Sequence, residues 1–328
     1  MTPQPLEARP ADPAEVSRLG LGMAALGRPA YITLEHGQDF PGGRTVDAMR
    51  VQAHEVLDAA FAAGVRYVDA ARSYGESEAF VRAWLDARVL PPGSVTVGSK
   101  WGYEYVGAWQ LQAALHERKD HSLATLRRQL AESSAILGEH LALYQIHSAT
   151  LESGVLEDAG VMGELAGLRE RGVRIGVTAS GPAQAAVIRR AMAIRPDGRP
   201  LFATVQATWN LLERSAEEAL VEAHAAGHTV LVKEVLANGR LTARGDGLQA
   251  LAPLALARGT TVDAIAIAAA LAQPWAGIVL LGASSAPQLR SNLRALEVPL
   301  ATEELTGLAS MRVPADVYWK DRARLPWS

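Results

Sequence analysis

Short apolar runs alternate with longer amphipathic stretches along almost the whole chain. Eight of the runs have the length of strands and are rich in aliphatic residues. They occupy 18–23, 66–71, 94–100, 141–147, 174–180, 204–210, 229–235 and 277–283. The stretches between them carry apolar residues at helical spacing and often end at a glycine. The pattern therefore predicts strands and helices in alternation.

Near-continuous apolar strands separated by helices are typical of a parallel sheet that is covered on both faces. Eight such units allow the sheet to close, so we predict an α/β fold, a (β/α)8 TIM barrel in a single domain. An open doubly wound sheet is the alternative, but no G-x-G-x-x-G motif follows the first strand. We predict a flexible leader at residues 1–15 and a barrel over 16–328, whose C-terminal tail covers the mouth.

Local signals refine this prediction. Ser285 with Gln288, and Ser215 with Glu218, have the spacing of capping boxes at helix starts. The longest interruptions follow the first, third and seventh predicted strands, at the barrel face that carries chemistry. These candidate walls and lids are residues 27–46, 101–119 and 236–250.

Composition narrows the class of protein. The chain has 328 residues and 34.8 kDa, with 49% hydrophobic and 20% charged residues, which suffices for a packed core. A net charge of -3 without a basic stripe argues against nucleic acid as a partner. The absence of cysteine excludes disulfides and thiolate metal sites, and no metal site is predicted. The start lacks the pattern of a signal peptide, so we predict a cytoplasmic protein.

One uncharged segment is long enough to cross a bilayer as a helix. It lies between Asp263 and Arg290, and it is divided by Gln273 and Pro274. The first half is rich in alanine, and the second is short, β-branched and closed by glycines. We therefore predict a buried helix followed by a buried strand, and no membrane partner.

Polar residues stand at the ends of the predicted strands, and in a barrel these ends converge. They are Asp69, Lys100, His147, Ser180, Gln206, and Lys233 with Glu234. Taken singly, an aspartate can cap a turn, a histidine can belong to the core, and Tyr74 can be a packing residue. Lys100 is harder to explain in this way, because an ammonium at the end of a buried run needs a partner.

Together these residues suit the chemistry of a carbonyl oxygen that becomes an alkoxide. A neighbouring ammonium, Lys100, is expected to lower the pKa of the Tyr74 phenol. Asp69 would keep that ammonium charged, and the His147 imidazole would hold the substrate oxygen.

Four segments, DAARSYGESE, VGSKWG, LYQIHS and VQATWNLL, resemble signature segments of the aldo-keto reductase superfamily, and the resemblance covers residues 16–296. It implies an NAD(P)H-dependent oxidoreductase that transfers a hydride between nicotinamide and an aldehyde or ketone, or the matching alcohol or sugar. It also implies that Tyr74 is the general acid/base, that Lys100 and Asp69 tune its pKa, and that His147 orients the carbonyl.

The resemblance also implies a set of cofactor-binding residues. They are Gly22, Met23, Asp69, Thr178, Ser180, Gln206, Lys233, Leu236, Asn238, Gly282, Ser284, Gln288 and Asn292. Lys233 stands where the family often has an aromatic residue stacked on the nicotinamide. NADP(H) is expected rather than NAD(H), although Gln288 replaces a common arginine, for which Arg290 could compensate.

The substrate pocket is expected to contain the aromatic residues of the loops and of the tail. The loop residues are Tyr31, Trp101, Tyr103, Tyr105 and Trp109. They favour a small-molecule carbonyl substrate of moderate size, although they can equally be a mere cover for the barrel.

Two other functions fit the same residues. One is a cofactor-binding regulatory subunit, because the resemblance extends to the β-subunits of potassium channels. The other is an aldolase that forms a Schiff base on Lys100, a chemistry that barrels also support.

Overall fold

A closed barrel of eight parallel strands forms the centre of the molecule in the computed structural model, which describes residues 13–328. The barrel strands are β1 (Leu19–Gly22), β2 (Tyr67–Asp69), β3 (Thr96–Trp101), β6 (Leu141–Ala149), β7 (Arg174–Ala179), β8 (Thr204–Thr208), β9 (Thr229–Lys233) and β10 (Ile278–Leu281). Each of these strands pairs with the barrel strand that follows it along the chain, and β1 closes the ring by pairing with β10. The predicted TIM barrel is confirmed.

Helices follow the strands, as the alternating pattern predicts. They are α1 (Pro13–Val16), α2 (Val46–Ala62), α3 (Ser77–Ala87), α4 (Leu123–Leu137), α5 (Ala159–Glu170), α6 (Gln184–Met192), α7 (Glu217–Ala225), α8 (Leu248–Ala257), α9 (Val262–Leu271), α10 (Ala286–Leu293), α11 (Thr302–Ala309) and α12 (Ala315–Arg322). Most of the predicted leader, residues 1–12, lies outside the described residues, and Pro13–Val16 form α1.

One of the two predicted helix caps is present and the other is wrong. The Ser285 hydroxyl accepts a hydrogen bond from the backbone N–H of Gln288 at the start of α10. Ser215 instead donates its hydroxyl proton to the buried Glu213 carboxylate, and α7 begins at Glu217 without a side-chain cap. A nearby buried carboxylate therefore competes successfully for a hydroxyl that the spacing assigns to the helix.

The interruption at 101–119 contains a small antiparallel hairpin. Its strands are β4 (Tyr103–Tyr105) and β5 (Glu117–Lys119), which pair with each other and are separate from the barrel sheet. The interruptions at 27–46 and 236–250 hold one-turn 3-10 helices, His36–Asp39 and Ala237–Gly239. These three segments border the same end of the barrel.

No single helix of the described chain is long and apolar enough to cross a membrane. Helices α8 and α9 reach that length and hydropathy only together, and they meet at an angle of 86°. The uncharged segment forms the buried helix α9 and the strand β10, as predicted.

Close packing inside the barrel supports the side chains at its mouth. Tyr67, Leu143, Leu231 and Leu280 form a separate apolar cluster of buried residues, with members on four barrel strands. Gly98 makes room for Tyr67, because a Cβ at this glycine would lie 2.5 Å from the Tyr67 hydroxyl oxygen. That hydroxyl donates to Asp69 Oδ1 over 3.1 Å. A small residue in β3 thus allows the tyrosine to reach an aspartate at the end of β2.

The turn that carries Tyr74 is held against the loop after β1 by two glycines. The backbone N–H of Glu76 donates to the Gly27 carbonyl over 2.8 Å. A Cβ on Gly27 would lie 2.2 Å from the Tyr74 carbonyl oxygen, and Gly75 has a positive φ of 57°. Only residues without a side chain allow the two backbones to approach so closely.

We expect Gly27→Ala to displace the Tyr74 turn, because the new methyl group would overlap backbone atoms that cannot move independently. Overpacking of this kind costs about 1–3 kcal/mol of unfolding free energy. Chemical denaturation measures this loss, and activity should fall with it. Gly42→Ala is the control, since a Cβ there meets no atom within 4 Å. Equal stability of the two variants would contradict the role assigned to Gly27.

Candidate active site

A cavity of about 480 Å³ opens at the C-terminal ends of the barrel strands. Asp69, Tyr74 and His147 line it, and Lys100 lies behind Asp69 rather than on the wall. Asp69 ends β2, Tyr74 follows in the turn before α3, and Lys100 and His147 belong to β3 and β6. The structure therefore brings together the four residues of the predicted catalytic set.

The Asp69 carboxylate is the centre of a buried hydrogen-bond network. Lys100 Nζ donates to Asp69 Oδ2 over 2.5 Å and to the Ala70 carbonyl over 3.0 Å. The other oxygen, Oδ1, accepts from the Tyr67 hydroxyl at 3.1 Å and from the side-chain amides of Gln145 and Gln206, each at 3.2 Å. Both oxygens therefore have hydrogen-bond donors, which is what a buried carboxylate requires.

The buried ammonium of Lys100 lies beneath the Tyr74 ring. Its Nζ is 4.7 Å from the ring centroid, within range of a cation–π contact. Burial lowers the pKa of Lys100, and the adjacent Asp69 carboxylate opposes that change. Asp69 is therefore the partner that favours the charged form of Lys100 close to the phenol.

The side chains of Tyr74 and His147 lie next to each other on the cavity wall. The Tyr74 hydroxyl oxygen lies 3.4 Å from His147 Nε2, and the rings meet edge to face at 5.4 Å. Ser73 Oγ lies 3.3 Å from His147 Nδ1 on the other side of the imidazole. Burial lowers the His147 pKa well below 6.5, and the charges of Lys100, Lys233 and Arg28 lower it further. The imidazole is therefore neutral near pH 7.

The prediction of a lowered Tyr74 pKa is wrong. Burial raises the pKa of Tyr74 well above 10, and the charge of Asp69 adds to the increase. Among the neighbouring charges, that of Arg28 lowers the Tyr74 pKa, but it does not offset the effect of burial. The phenol therefore holds its proton at neutral pH.

Arg28 is a second cation beside the Tyr74 ring, and the sequence pattern did not predict it. Its guanidinium carbon lies 5.2 Å from the Tyr74 centroid and 4.8 Å from that of Trp327. Nη1 donates to the Ser73 carbonyl at 2.9 Å and to Glu117 Oε1 at 2.8 Å, whereas the buried Nε has no hydrogen-bond partner. The side chain is only 3% exposed and is fixed by these contacts.

Most of the predicted cofactor residues line the same cavity. They are Gly22, Asp69, Ser180, Gln206, Lys233, Leu236, Asn238, Gly282, Ser284, Gln288 and Asn292. Met23 and Thr178 do not. The Met23 side chain belongs to the core between barrel and helices, and the Thr178 hydroxyl accepts from the Ser148 backbone N–H at 2.6 Å. Ser180 lies on the wall instead.

Two buried carboxamide oxygens on this wall have no hydrogen-bond partner, Asn238 Oδ1 and Asn292 Oδ1. The amide nitrogens are already used, since Asn238 Nδ2 donates to the Ile32 carbonyl and Asn292 Nδ2 to Asp263 Oδ2. Space is also present, because a Cβ on Gly282 would meet no atom within 4 Å. Free acceptors and an open groove fit a dinucleotide, which carries amino and ribose hydroxyl donors.

Lys233 occupies the position at which the family resemblance leads us to expect an aromatic residue stacked on the nicotinamide. Its Nζ donates to Thr208 Oγ1 at 3.0 Å and lies 3.8 Å from Glu234 Oε1. Burial lowers the pKa of Lys233 to about 8. Burial also opposes ionisation of Glu234, but the charges of Arg322 and Lys233 outweigh it and lower the pKa of Glu234 to about 2.

The aromatic part of the wall is smaller than predicted. Tyr31, Tyr103 and Trp327 line the cavity, the last of these in the segment that follows α12. Trp101, Tyr105 and Trp109 do not line it. Trp101 is fully buried against His121, and Trp109 donates its indole N–H to the Arg44 carbonyl.

The sequence of residues 18–312 matches the model of the aldo/keto reductase family. This match spans most of the chain. The chain belongs to the aldo/keto reductase family. It is therefore an enzyme of the NAD(P)-dependent oxidoreductase class.

Two comparisons give the degree of similarity of this reductase to known proteins. It is 25% identical over 300 residues to "Probable aryl-alcohol dehydrogenase AAD4" of Saccharomyces cerevisiae, covering 81% of this chain and 89% of the yeast protein. Its fold is similar to that of the aldo-keto reductase AKR11C1 from Bacillus halodurans in its holo form, with a TM-score of 0.67 and 22% identity. That alignment covers 91% of this chain and 93% of the other.

Several lining residues of the reductase were missed by sequence reasoning. They are Arg28, Glu117, Ser148, Arg244, Asp263 and Arg322. Each lies in a loop, in a helix, or in a strand outside the barrel, except Ser148 in β6. Ser148 follows His147 at a positive φ of 47°, which turns the strand at its end.

Among residues 13–328, no group of three or more His, Asp or Glu side chains is placed to hold a metal ion.

We expect Asp69→Asn to destabilise the reductase by about 3–5 kcal/mol, because it leaves the buried Lys100 ammonium without an anion. Urea denaturation measures the change. Asp47→Asn is the control, since its carboxylate is 89% exposed and pairs only with Arg50. The double variant Asp69→Asn/Lys100→Met should recover part of the loss, and equal losses in the single and double variants would refute this explanation.

Proposed function

We propose that this reductase interconverts an aldehyde or ketone and the matching alcohol, with Tyr74 as the general acid/base. One observation carries the proposal. The Tyr74 hydroxyl and His147 Nε2 lie 3.4 Å apart on one cavity wall, next to the buried pair of Lys100 and Asp69. A carbonyl oxygen that enters the cavity can meet both groups within hydrogen-bond distance.

His147 holds the carbonyl oxygen as a neutral donor. Its lowered pKa keeps the ring uncharged, so only one ring nitrogen carries a proton. If the Ser73 hydroxyl donates to Nδ1, the proton lies on Nε2, the nitrogen that faces Tyr74. Nε2–H then donates to the substrate oxygen and strengthens that bond as negative charge develops there.

Tyr74 supplies the proton of the reduction. A reduced nicotinamide, when bound, would supply the hydride to the carbonyl carbon. The oxygen becomes an alkoxide, which is more basic than a phenolate, so it takes the proton from Tyr74. The resulting phenolate lies near the cations of Lys100 and Arg28, at 4.7 and 5.2 Å from the ring centroid. In the reverse direction the phenolate accepts the proton of the alcohol.

We propose that the cofactor lies in the cavity groove that runs past Gly282 to Asn292, and that it is NADP(H) rather than NAD(H). The support for a dinucleotide is the pair of free acceptors, Asn238 Oδ1 and Asn292 Oδ1. The support for a 2′-phosphate is Arg244, a guanidinium that lines the cavity. Arg244 pairs with Asp39 at 2.6 Å, so it must be shared between this carboxylate and the phosphate.

Aromatic aldehydes are the substrate class that we propose to examine first. The walls formed by Tyr31, Tyr103 and Trp327 can pack against a ring. The yeast relative is described as an aryl-alcohol dehydrogenase, and this description agrees with an aromatic pocket.

The regulatory-subunit alternative predicts a different outcome with the same protein. A cofactor-binding subunit would bind NADPH tightly and turn over no carbonyl compound. The aldolase alternative has less support, because Lys100 is bonded to Asp69 and does not line the cavity.

The central experiment is Tyr74→Phe, which removes the proposed acid and keeps the ring. We expect kcat for aldehyde reduction to fall by about 10²- to 10⁴-fold, the usual contribution of a general acid. NADPH binding, followed by fluorescence, should stay close to that of the unaltered protein. Tyr105→Phe is the control, because Tyr105 does not line the cavity. Undiminished turnover by Tyr74→Phe would refute the assignment.

The cofactor proposal predicts that Arg244→Met weakens NADPH binding by about tenfold, equivalent to ~1.4 kcal/mol, and leaves NADH binding nearly unchanged. The physical reason is that NADH lacks the phosphate that Arg244 would meet. Dissociation constants from fluorescence titration give the answer. Arg290→Met is the matched control, because Arg290 is exposed and does not line the cavity. A parallel loss for NADH and NADPH would argue against recognition of the phosphate by Arg244.

A further inference from the structure

Lys233 places an incompletely neutralised positive charge on the wall that also holds Tyr74 and His147. It ends β9, and its side chain lines the cavity. Its ammonium group has three donors, of which one is used by Thr208 Oγ1 at 3.0 Å. The charge of Lys233 also lowers the pKa of His147, so it acts within electrostatic reach of the reacting oxygen.

Every other cation on the cavity wall, and Lys100 behind it, has a carboxylate in direct contact. Among the described residues, the pairs are Lys100 with Asp69, Arg28 with Glu117, Arg244 with Asp39, and Arg322 with Glu234. Lys233 shares Glu234 at the longer distance of 3.8 Å. Arg322 already holds both oxygens of Glu234, with Nε 2.8 Å from Oε2 and Nη2 2.5 Å from Oε1. The Glu234 carboxylate therefore serves two cations, and one positive charge remains.

An excess charge in a buried wall is costly unless an anion accompanies it. Burial lowers the pKa of Lys233 to about 8, so most of the molecules keep this charge at pH 7. Besides the Thr208 hydroxyl, the groups that act on the ammonium are the Glu234 carboxylate, the Arg322 guanidinium and the ring of Trp319 at 6.0 Å. The buried pair of Lys100 and Asp69 adds one charge of each sign at longer range. An anionic ligand would complete the charge balance of this part of the wall.

We propose that this reductase acts on carbonyl compounds that carry a carboxylate, and that Lys233 binds the carboxylate while Tyr74 and His147 bind the carbonyl oxygen. The inference rests on the proposed function, because it uses the same cavity and the same reacting oxygen. Lys233 is here a specificity-determining residue and takes no part in proton transfer.

The anionic oxygen that Lys233 meets could also come from a phosphate of the cofactor. The two sources share one chemistry, and a Lys233→Met variant separates them. If Lys233 contacts the cofactor, its loss raises the dissociation constant of NADPH and lowers the activity with all substrates to the same extent. Loss of a substrate contact leaves that constant unchanged and affects only substrates with a carboxylate.

Paired substrates of equal shape make the test specific for charge. Para-carboxybenzaldehyde and para-formylbenzamide differ in an anionic versus a neutral planar group, and the meta isomers vary its position. We expect the unaltered reductase to prefer the acid in kcat/KM. The kcat/KM for the acid divided by the kcat/KM for the amide should fall by about tenfold or more in Lys233→Met. The reason is that a hydrogen bond to a charged group contributes more binding free energy than a hydrogen bond between neutral groups.

Two further variants control for side effects. Lys233→Arg keeps the charge and should retain much of the preference for the acid. Lys119→Met removes an exposed lysine that does not line the cavity, and its ratio should equal that of the unaltered protein. Lys233→Met keeps the ion pair of Arg322 and Glu234, so no carboxylate is left without a cation.

A binding measurement separates this inference from the proposed function. With NADP⁺ bound, the aldehydes cannot be reduced, and calorimetry gives their affinities without turnover. Tighter binding of the acid than of the amide, lost in Lys233→Met, supports the carboxylate site even if no aldehyde is reduced. An unchanged ratio of acid to amide in Lys233→Met, in kinetics and in binding, overturns the proposal. So does a loss of NADPH affinity with an unchanged ratio.

Discussion

The ion pair between Lys100 and Asp69 is the constraint around which the candidate active site is built. Each charge would be unstable alone in the barrel interior, and neither can move without leaving the other unmatched. Because the carboxylate also accepts from Tyr67, Gln145 and Gln206, four strands are fixed to one group. The Tyr74 ring rests above a cation whose position is thereby determined. The network stabilises a geometry rather than an especially acidic phenol.

The arrangement of charges suggests how one wall serves two purposes. Near Tyr74, the cations of Lys100 and Arg28 are matched by carboxylates, so they can stabilise a transient phenolate without attracting a permanent anion. At the end of β9, Lys233 is matched only in part. In the proposed mechanism, proton transfer and ligand selection would therefore use separate cations in a single cavity, and a change in one need not alter the other.

The barrel and the grouping of the candidate catalytic residues could be predicted because both depend on local regularities. Eight apolar runs give the strands, and parallel strands of a barrel bring their ends together, so Asp69, Lys100 and His147 were found from position alone. Arg28 and Arg322 could not be found in this way, since nothing periodic relates a loop or a terminal helix to the cavity. The prediction of a lowered Tyr74 pKa was wrong because a sequence shows neighbouring charges but not the depth of burial. Burial outweighs the effect of those charges on this pKa.

The segment around Trp327 returns to the first loop of the barrel, where Ile32 and Trp327 form a β-bridge and Ser328 donates to the Thr33 carbonyl, 295 residues away in the sequence. Contacts of such separation close late, because the entropy of the long intervening loop must be overcome first. During synthesis, the barrel strands emerge from the ribosome before this closure is possible. The nascent chain can therefore form these contacts only after Trp327 and Ser328 have been added, whereas the last barrel strand already ends at Leu281.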